Sequence, residues 1–136
     1  MKRVFADTNI LIDLIADRQP YSKFAVRLFQ KAENKEIEIF TSTHSIATAH
    51  YILKKYTSEE HLRDILYQLM NYITVIPIDT DMIKKGLRSG YRDFEDSLQI
   101  FCATSITQID CIITRNIKDF RDSEIPAFTP DQVLQE

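Results

Sequence analysis

The stretch from Val4 to Ile15, VFADTNILIDLI, decides the fold prediction, because three polar residues interrupt an apolar run. The letters before the interruption predict a short buried strand that ends at Asp7. The letters after it have the three- and four-residue spacing of an amphipathic helix. A strand therefore leads directly into a helix, and Asp7 or Thr8 would serve as the helix N-cap if nothing else used them.

The rest of the chain repeats this alternation. Strands are predicted at IEIFTS (37–42), TVIPI (74–78) and CIITR (111–115), with a short fifth strand in IPAFTP before a helix opened by Pro130. Pro77 indicates an edge strand or a strand end, and Thr57 with Glu60 predicts a capping box that opens the fourth helix. Alternating strands and helices predict one domain over residues 1–136, a mostly parallel sheet of four to five strands covered by helices on both faces.

Composition excludes several classes of protein. The 136 residues carry a net charge of −3, so a polyanion partner needs a local basic patch or a bound cation. The two glycines leave no Gly-rich phosphate loop. We expect no membrane span, because no apolar run approaches about 18 residues. Two cysteines, Cys102 and Cys111, lie in apolar settings and predict free thiols, which fits the cytoplasm.

Polar residues collect where the predicted strands end. Ligands of open parallel sheets bind outside the carboxyl ends of the strands. The residues placed at that edge by their position after a strand or in an opening helical turn are Asp7, Asp79, Asn116, Asp119, Thr48 and Asp96. This edge is therefore the predicted site.

A structural role competes with the functional one at most of these positions. Asp79 and Asp93 are each predicted to N-cap a helix, and Asp119 has Lys or Arg neighbours for a surface pair. Asp96 differs, because its helix is apolar on two sides and is therefore expected to be largely buried. Two bare carboxylates ~4 Å apart repel by about 4 kcal/mol at an effective dielectric of about 20. A cluster of acids here needs a divalent metal or the basic side chains Arg92, Arg115 and Lys118.

The histidines give no metal motif. His44, His50 and His61 are not spaced as a zinc pair. His50 shares an apolar helix face and is expected to pack there, whereas His44 lies one turn before Thr48 and either packs or faces the same site. No Ser elbow with Gly neighbours is present, which argues against a nucleophilic triad.

Three segments resemble conserved motifs of the PIN-domain family: FADTNILIDLI near the start, DFEDSLQIFCA in a late helix and DCIITRNIKDF at the fourth strand. The terminal IPAFTPDQVLQ is also similar to the ends of many bacterial members, in the group of VapC-type toxins. The resemblance implies a three-layer α/β/α sandwich and a ribonuclease that uses Mg²⁺ or Mn²⁺. It also implies an RNA substrate, a cognate antitoxin, and a homodimer or higher oligomer.

Carried over by position, the resemblance makes Asp7 and Asp96 metal ligands. Asn116 and Asp119 fall near a further family acid and would orient the metal or its water, with Asp119 as the third metal ligand. The predicted supporting residues are Thr8, Asn9, Thr48, Asp93 and Thr114. In this group the Thr8 hydroxyl and Asn9 amide would hold Asp7, and Thr48 stands where the family has a Glu. The predicted RNA contacts are Arg92, Arg115 and Lys118, with Lys54 and Lys55 extending the basic rim.

Two other functions stay open at the level of sequence. A phosphatase would use Asp7 as a nucleophile, but such enzymes need an acid two residues later, and here that residue is Asn9. A degenerate PIN domain would bind RNA or protein without catalysis. The neutral residues Thr48 and Asn116 at acid positions motivate this second alternative.

Overall fold

The structure, a computed structural model, describes residues 1–135. Its strands are β1 (Lys2–Ala6), β2 (Ile37–Ser42), β3 (Ile73–Ile76), β4 (Cys111–Ile113) and β5 (Ala127–Phe128). Its helices are α1 (Thr8–Ala16), α2 (Ser22–Glu33), α3 (Thr43–Leu53), α4 (Glu59–Leu69), α5 (Thr80–Arg88), α6 (Phe94–Thr104) and α7 (Pro130–Leu134). A short 3₁₀ helix spans Ile117–Phe120. Glu136, the last residue of the predicted domain, lies outside the described residues.

The strands form one sheet in the order β3-β2-β1-β4-β5, and every neighbouring pair is parallel. The predicted parallel α/β architecture is confirmed, with five strands. β1 is central and runs between β2 and β4, so the chain leaves β1 towards one side of the sheet and later returns to its other side. This reversal opens a crevice at the carboxyl ends of β1 and β4, where ligands of such sheets bind. Pro77 follows the edge strand β3, as its position predicts.

Alternating side chains of β1 divide the core into two layers. Val4 and Ala6 pack with residues of α1, α2 and α7 on one face of the sheet. Phe5 faces the other way and packs with residues of α5 and α6. Both faces are thereby covered, which explains why the strands are nearly continuous apolar runs rather than alternating ones.

Helix α6, which carries Asp96, is held close to α5 at a glycine. A Cβ on Gly86 would stand 2.8 Å from the Ser97 hydroxyl oxygen and 3.3 Å from Leu98 Cδ2. Contacts this short would force the Ser97 and Leu98 side chains to move, so the absence of a side chain at Gly86 favours the close approach of the two helices.

The start of α4 is one residue later than predicted. Its N-cap is Ser58, whose side chain accepts from the backbone N–H of His61 at 3.2 Å, so the Thr57–Glu60 capping box was wrong. Both Thr57 and Ser58 can cap a helix, and sequence spacing alone did not separate them. Helix α4 ends at Leu69, after which Met70 is exposed and Ile73 begins β3.

No helix within residues 1–135 is long and apolar enough to cross a membrane. Cys102 and Cys111 are free and buried, as predicted.

Candidate active site

The Asp7 side chain lies at the carboxyl edge of the two central strands and is held by four donors. The Thr114 hydroxyl, just past β4, donates to Oδ2 at 2.8 Å, and the Asn9 amide reaches the same oxygen at 3.4 Å. The Thr8 backbone N–H donates to Oδ1 at 2.8 Å, and the Gln99 amide donates to it at 3.4 Å. A buried carboxylate with this many donors has a fixed orientation.

Asp7 is also the N-cap of α1, because the Thr8 N–H that it accepts belongs to the first residue of the helix. The expectation that the Thr8 hydroxyl holds Asp7 was wrong, as was a capping role for the Thr8 side chain. The Thr8 hydroxyl instead bonds the Ser45 hydroxyl at 2.8 Å, since the start of α1 directs it towards α3.

A buried polar network lies behind Asp7 and centres on Gln99 of α6. The Ser42 hydroxyl donates to Gln99 Oε1 at 2.6 Å. The Gln99 amide donates to the Thr8 hydroxyl at 3.2 Å and to the Ser45 hydroxyl at a shorter distance. Ser42, Ser45 and Gln99 are all buried, and no buried side-chain polar atom within residues 1–135 lacks a partner. The network joins α6 and the start of α3 to the residue that follows β1.

The crevice above Asp7 has a volume of about 340 Å³. Asp96 of α6 lines it together with Asp7, and polar residues form most of the remaining wall: Thr8, Asn9, Arg18, His44, Thr48, Glu95, Gln99, Arg115 and Asn116. A larger cavity of about 460 Å³ between α1, α3 and α4 is lined by apolar side chains and by Arg18, Tyr56, Thr57 and His61, with no carboxylate. Carboxylate chemistry is therefore confined to the smaller cavity of the two.

The pKa of Asp96 is raised to about 7 from its ordinary 3.8. Burial is the largest cause, followed by the negative charges of Asp93, Asp7 and Asp119. Asp93 is the N-cap of α6 and accepts from the Asp96 N–H at 3.0 Å, so its capping role is confirmed. Asp96 therefore lies in a position where negative charge is undercompensated.

The pKa of Asp7 is raised as well. Burial is again the dominant cause, and the Asp119 charge adds to it, whereas the hydrogen bonds from Thr114, Thr8 and Gln99 oppose the shift. The Asp7 and Asp96 carboxylates are thus both destabilised as anions, although donors hold Asp7 in place. A bound cation would relieve both of them.

The donor set fits a hard divalent cation with an incomplete protein shell. Within residues 1–135, no three His, Cys, Asp or Glu side chains are grouped closely enough to hold a metal ion by themselves. Mg²⁺ commonly binds through one or two carboxylates and keeps several waters. Asp7 and Asp96 supply those carboxylates, and the crevice has room for waters.

Asn116 and Asp119 occupy different positions relative to the crevice. Asn116 lines it, is exposed, and donates its backbone N–H to the Thr114 hydroxyl oxygen at 3.0 Å. Asp119 lies on the 3₁₀ helix, is exposed, and is not part of the crevice wall. The negative charge of Asp119 contributes to the raised pKa values of Asp7 and Asp96.

The basic rim differs from the predicted one. Arg115 lines the crevice, but its guanidinium is paired with the buried carboxylate of Asp13, with Nε 2.6 Å from Oδ2. Arg92 and Lys118 are exposed and lie outside the crevice wall. Arg18, an exposed side chain after α1, lines the crevice instead.

Thr48 and His44 both line the crevice from α3. The Thr48 hydroxyl lies 3.4 Å from His44 Nε2, and the same nitrogen lies 3.7 Å from the Glu95 carboxylate. Thr48 therefore occupies the place where the resemblance sets a Glu, with a neutral side chain. His50 bonds Glu59 at 2.5 Å rather than packing only against apolar neighbours.

Sequence reasoning missed Gln99, Ser42, Ser45, Asp13 and Arg18. Gln99 had a detectable signal, because it lies three residues after Asp96 in a helix that is apolar on two sides. Asp13 had one too, since a carboxylate inside the run ILIDLI needs a partner when it is buried. Arg18 had none, because its position depends on how the chain turns after α1.

A family model described as the PIN domain matches residues 3–118. The chain belongs to the PIN-domain family. A relative named Ribonuclease VapC1, from Aquifex aeolicus (strain VF5), is 26% identical over 140 residues, which cover 98% of this chain and 94% of that protein.

Solved structures share the fold. A toxin-antitoxin complex from Klebsiella pneumoniae is 28% identical, with a TM-score of 0.64 over 93% of this chain and 97% of that one. VapBC2 from Rickettsia felis, bound to a DNA fragment from its promoter, is 19% identical, with a TM-score of 0.63 over 93% of this chain and 98% of that one. The second likeness concerns the fold alone.

Proposed function

We propose that this protein is a metal-dependent endoribonuclease and the toxin of a toxin–antitoxin pair. Membership of the PIN-domain family and the similarity to Ribonuclease VapC1 support the nuclease activity. The observation that carries the proposal is the crevice, which is lined by both Asp7 and Asp96. Four donors hold Asp7 in place, and burial and neighbouring carboxylates raise the pKa of Asp96. We propose that it cleaves RNA in the cytoplasm.

Asp7 and Asp96 would hold one Mg²⁺ or Mn²⁺ ion. When bound, such a cation lowers the pKa of a coordinated water and neutralises charge on the phosphate. Thr114, Thr8 and Gln99 keep the Asp7 carboxylate oriented, and Asp93 fixes the first turn of α6. Asp119 and Asn116 would orient the attacking water, and Arg18 would contact the RNA phosphates.

The cognate antitoxin would cover the crevice. The similarity to the Klebsiella toxin-antitoxin complex supports a partner protein, and the negative potential near Asp96 favours a segment that carries basic side chains. Self-association is a separate part of the proposal. Exposed Tyr67, Met70 and Tyr72 at the end of α4 and after it offer an apolar surface for a second copy.

An RNA cleavage assay with and without Mn²⁺ tests the nuclease proposal. We expect Asp7→Asn and Asp96→Asn each to lose at least about 100-fold in rate, because even residues that only support metal ligands cost 10–100-fold. Asp81→Asn is the matched control, since Asp81 is an exposed acid that pairs with Lys85 on α5. Equal rates for all variants, or cleavage that is indifferent to chelator, would contradict the proposal.

A degenerate PIN domain is the second candidate. The neutral Thr48 and Asn116 in the crevice, together with the lack of a three-acid group within residues 1–135, favour it. It predicts that the protein binds RNA but does not cut it, and that Mn²⁺ leaves its melting temperature unchanged. The assay above separates the two candidates directly.

A further inference from the structure

A further cavity of about 440 Å³, the side cavity, adjoins the crevice. Arg115 and Asn116 line both spaces and so form their common wall. The rest of this side cavity is built by the loop before α2, by α2 and by the start of α7: Pro20, Tyr21, Phe24, Thr129, Pro130 and Asp131. A polymer that lies over Asp7 and Asp96 passes Arg115 and Asn116 when it enters the side cavity.

Planar groups dominate one wall of the side cavity. Tyr21 is 42% exposed, and the Arg115 guanidinium carbon lies 4.1 Å from its ring centroid. Arg115 cannot move freely, because Asp13, which is 1% exposed, accepts two hydrogen bonds from it at 2.6 and 3.1 Å. Phe24 adds a half-buried ring. Unstacked bases of single-stranded RNA bind on such aromatic and guanidinium surfaces.

The charges on the wall favour a base over a phosphate. Asp131 contributes a carboxylate, which repels phosphate and accepts hydrogen bonds from amino groups of bases. Asn116 contributes an exposed amide that can donate to or accept from a base edge.

We infer that the side cavity is a nucleobase subsite. It takes one unstacked base with an exocyclic amino group (adenine, guanine or cytosine) from a single-stranded RNA whose phosphate lies in the crevice. Tyr21 and Phe24 hold the plane of the base, and Asp131 accepts from its amino group. The inference rests on the proposed ribonuclease function, and it adds a source of base preference next to the cleavage site.

Titration of isotope-labelled full-length protein with single nucleotides tests the subsite by NMR. AMP, GMP and CMP are expected to shift amide signals of residues 20–24, 115–116 and 129–131, whereas UMP requires a roughly tenfold higher concentration because it lacks the amino group. Asp131→Asn is expected to remove most of this difference. Inorganic phosphate is expected to leave the signals of residues 20–24 and 129–131 in place, because these residues line only the side cavity.

Two substitutions at Tyr21 distinguish a loss of base stacking from a loss of folding. Tyr21→Ala is expected to weaken nucleotide binding roughly tenfold through lost stacking, while Tyr21→Phe restores it. Tyr51→Ala is the matched control, because Tyr51 is 61% exposed on α3 and lines neither the crevice nor the side cavity.

The subsite is overturned if no nucleotide shifts these signals, if UMP binds equally well, or if phosphate reproduces the shifts. It is also overturned if the antitoxin segment, and no nucleotide, occupies the side cavity. The titration does not depend on catalysis. RNA cleavage without nucleotide binding would therefore overturn only the subsite proposal. Nucleotide binding without cleavage would overturn only the proposed nuclease activity.

Discussion

The Asp7 carboxylate combines a structural role with the metal-binding role that we propose. It caps α1 through the Thr8 N–H, and it presents its remaining acceptor capacity to the crevice. The cap role that the sequence suggests is therefore real, but it does not compete with a role in metal binding. The cap takes one of the about four lone-pair sites of a carboxylate, and the Asn9 amide holds another only at 3.4 Å, so a cation could bind there without breaking the cap.

We expect Gln99 to fix the position of the Asp7 side chain relative to α6. Gln99→Leu removes the acceptor of the Ser42 hydroxyl and a donor to Asp7. Buried groups left without partners cost about 1–3 kcal/mol, which urea unfolding measures. Gln30→Leu at an exposed position of α2 is the control and is expected to change the free energy of unfolding by less than about 0.5 kcal/mol. Equal losses for both variants would argue against the network.

Asp96 makes the stability of the metal-free protein depend on pH. Its pKa of about 7 lies above the ordinary 3.8, so the folded state holds an extra proton between these values and becomes less stable as pH rises through them. Asp96→Asn lacks this loss and is expected to melt at a higher temperature than the parent above pH 7, with the difference shrinking towards pH 4.

Saturating Mn²⁺ is expected to reverse that order, because ligand binding to the folded state stabilises only the protein that keeps the ligand. Differential scanning calorimetry across pH, with Asp81→Asn as the control, measures both effects. Parallel pH profiles for the parent and Asp96→Asn would contradict the assignment.

At the scale of elements, two helix caps of the same chemistry are expected to differ in their effect on activity. Asp93 caps α6 by accepting from Asp96 at 3.0 Å, and Asp79 caps α5 by accepting from Met82 at 2.9 Å. Asp93→Ala and Asp79→Ala are each expected to cost about 1 kcal/mol of stability. Only Asp93→Ala is expected to lower RNA cleavage, since it loosens the turn that carries Asp96. Equal activity in the two variants would show that the α6 cap has no part in the site.

The sequence predicts the elements well because their signals are local. The alternation of strands and helices, the strand end at Pro77 and the helix caps are each indicated by residues a few positions apart. The structure confirms all three, including the caps Asp79 and Asp93. The Gln99 network could not be predicted in the same way, because it joins residues from four separate elements, α1, β2, α3 and α6. The pairing of Arg115 with Asp13 bridges 102 positions, and it gives a predicted RNA contact a structural partner that sequence spacing does not indicate.

At the scale of the whole molecule, the two thiols report on the integrity of the core. Cys102 and Cys111 are 0% and 1% exposed, and burial raises their pKa values to about 12 and about 11. Both are expected to resist a thiol reagent in the native protein at pH 8, since the reactive thiolate is absent. Both should react together on unfolding if residues 1–136 form one cooperative domain. Rapid reaction of either thiol under native conditions would contradict the described packing.

The central claim is that the crevice at the carboxyl ends of β1 and β4 binds a divalent cation. Crystals soaked in Mn²⁺ and measured at the manganese absorption edge test it most directly. We predict an anomalous peak within coordination distance of both the Asp7 and Asp96 carboxylates, and no such peak in crystals of Asp96→Asn. A crevice without anomalous density in the parent protein, or a peak that contacts neither carboxylate, would contradict it.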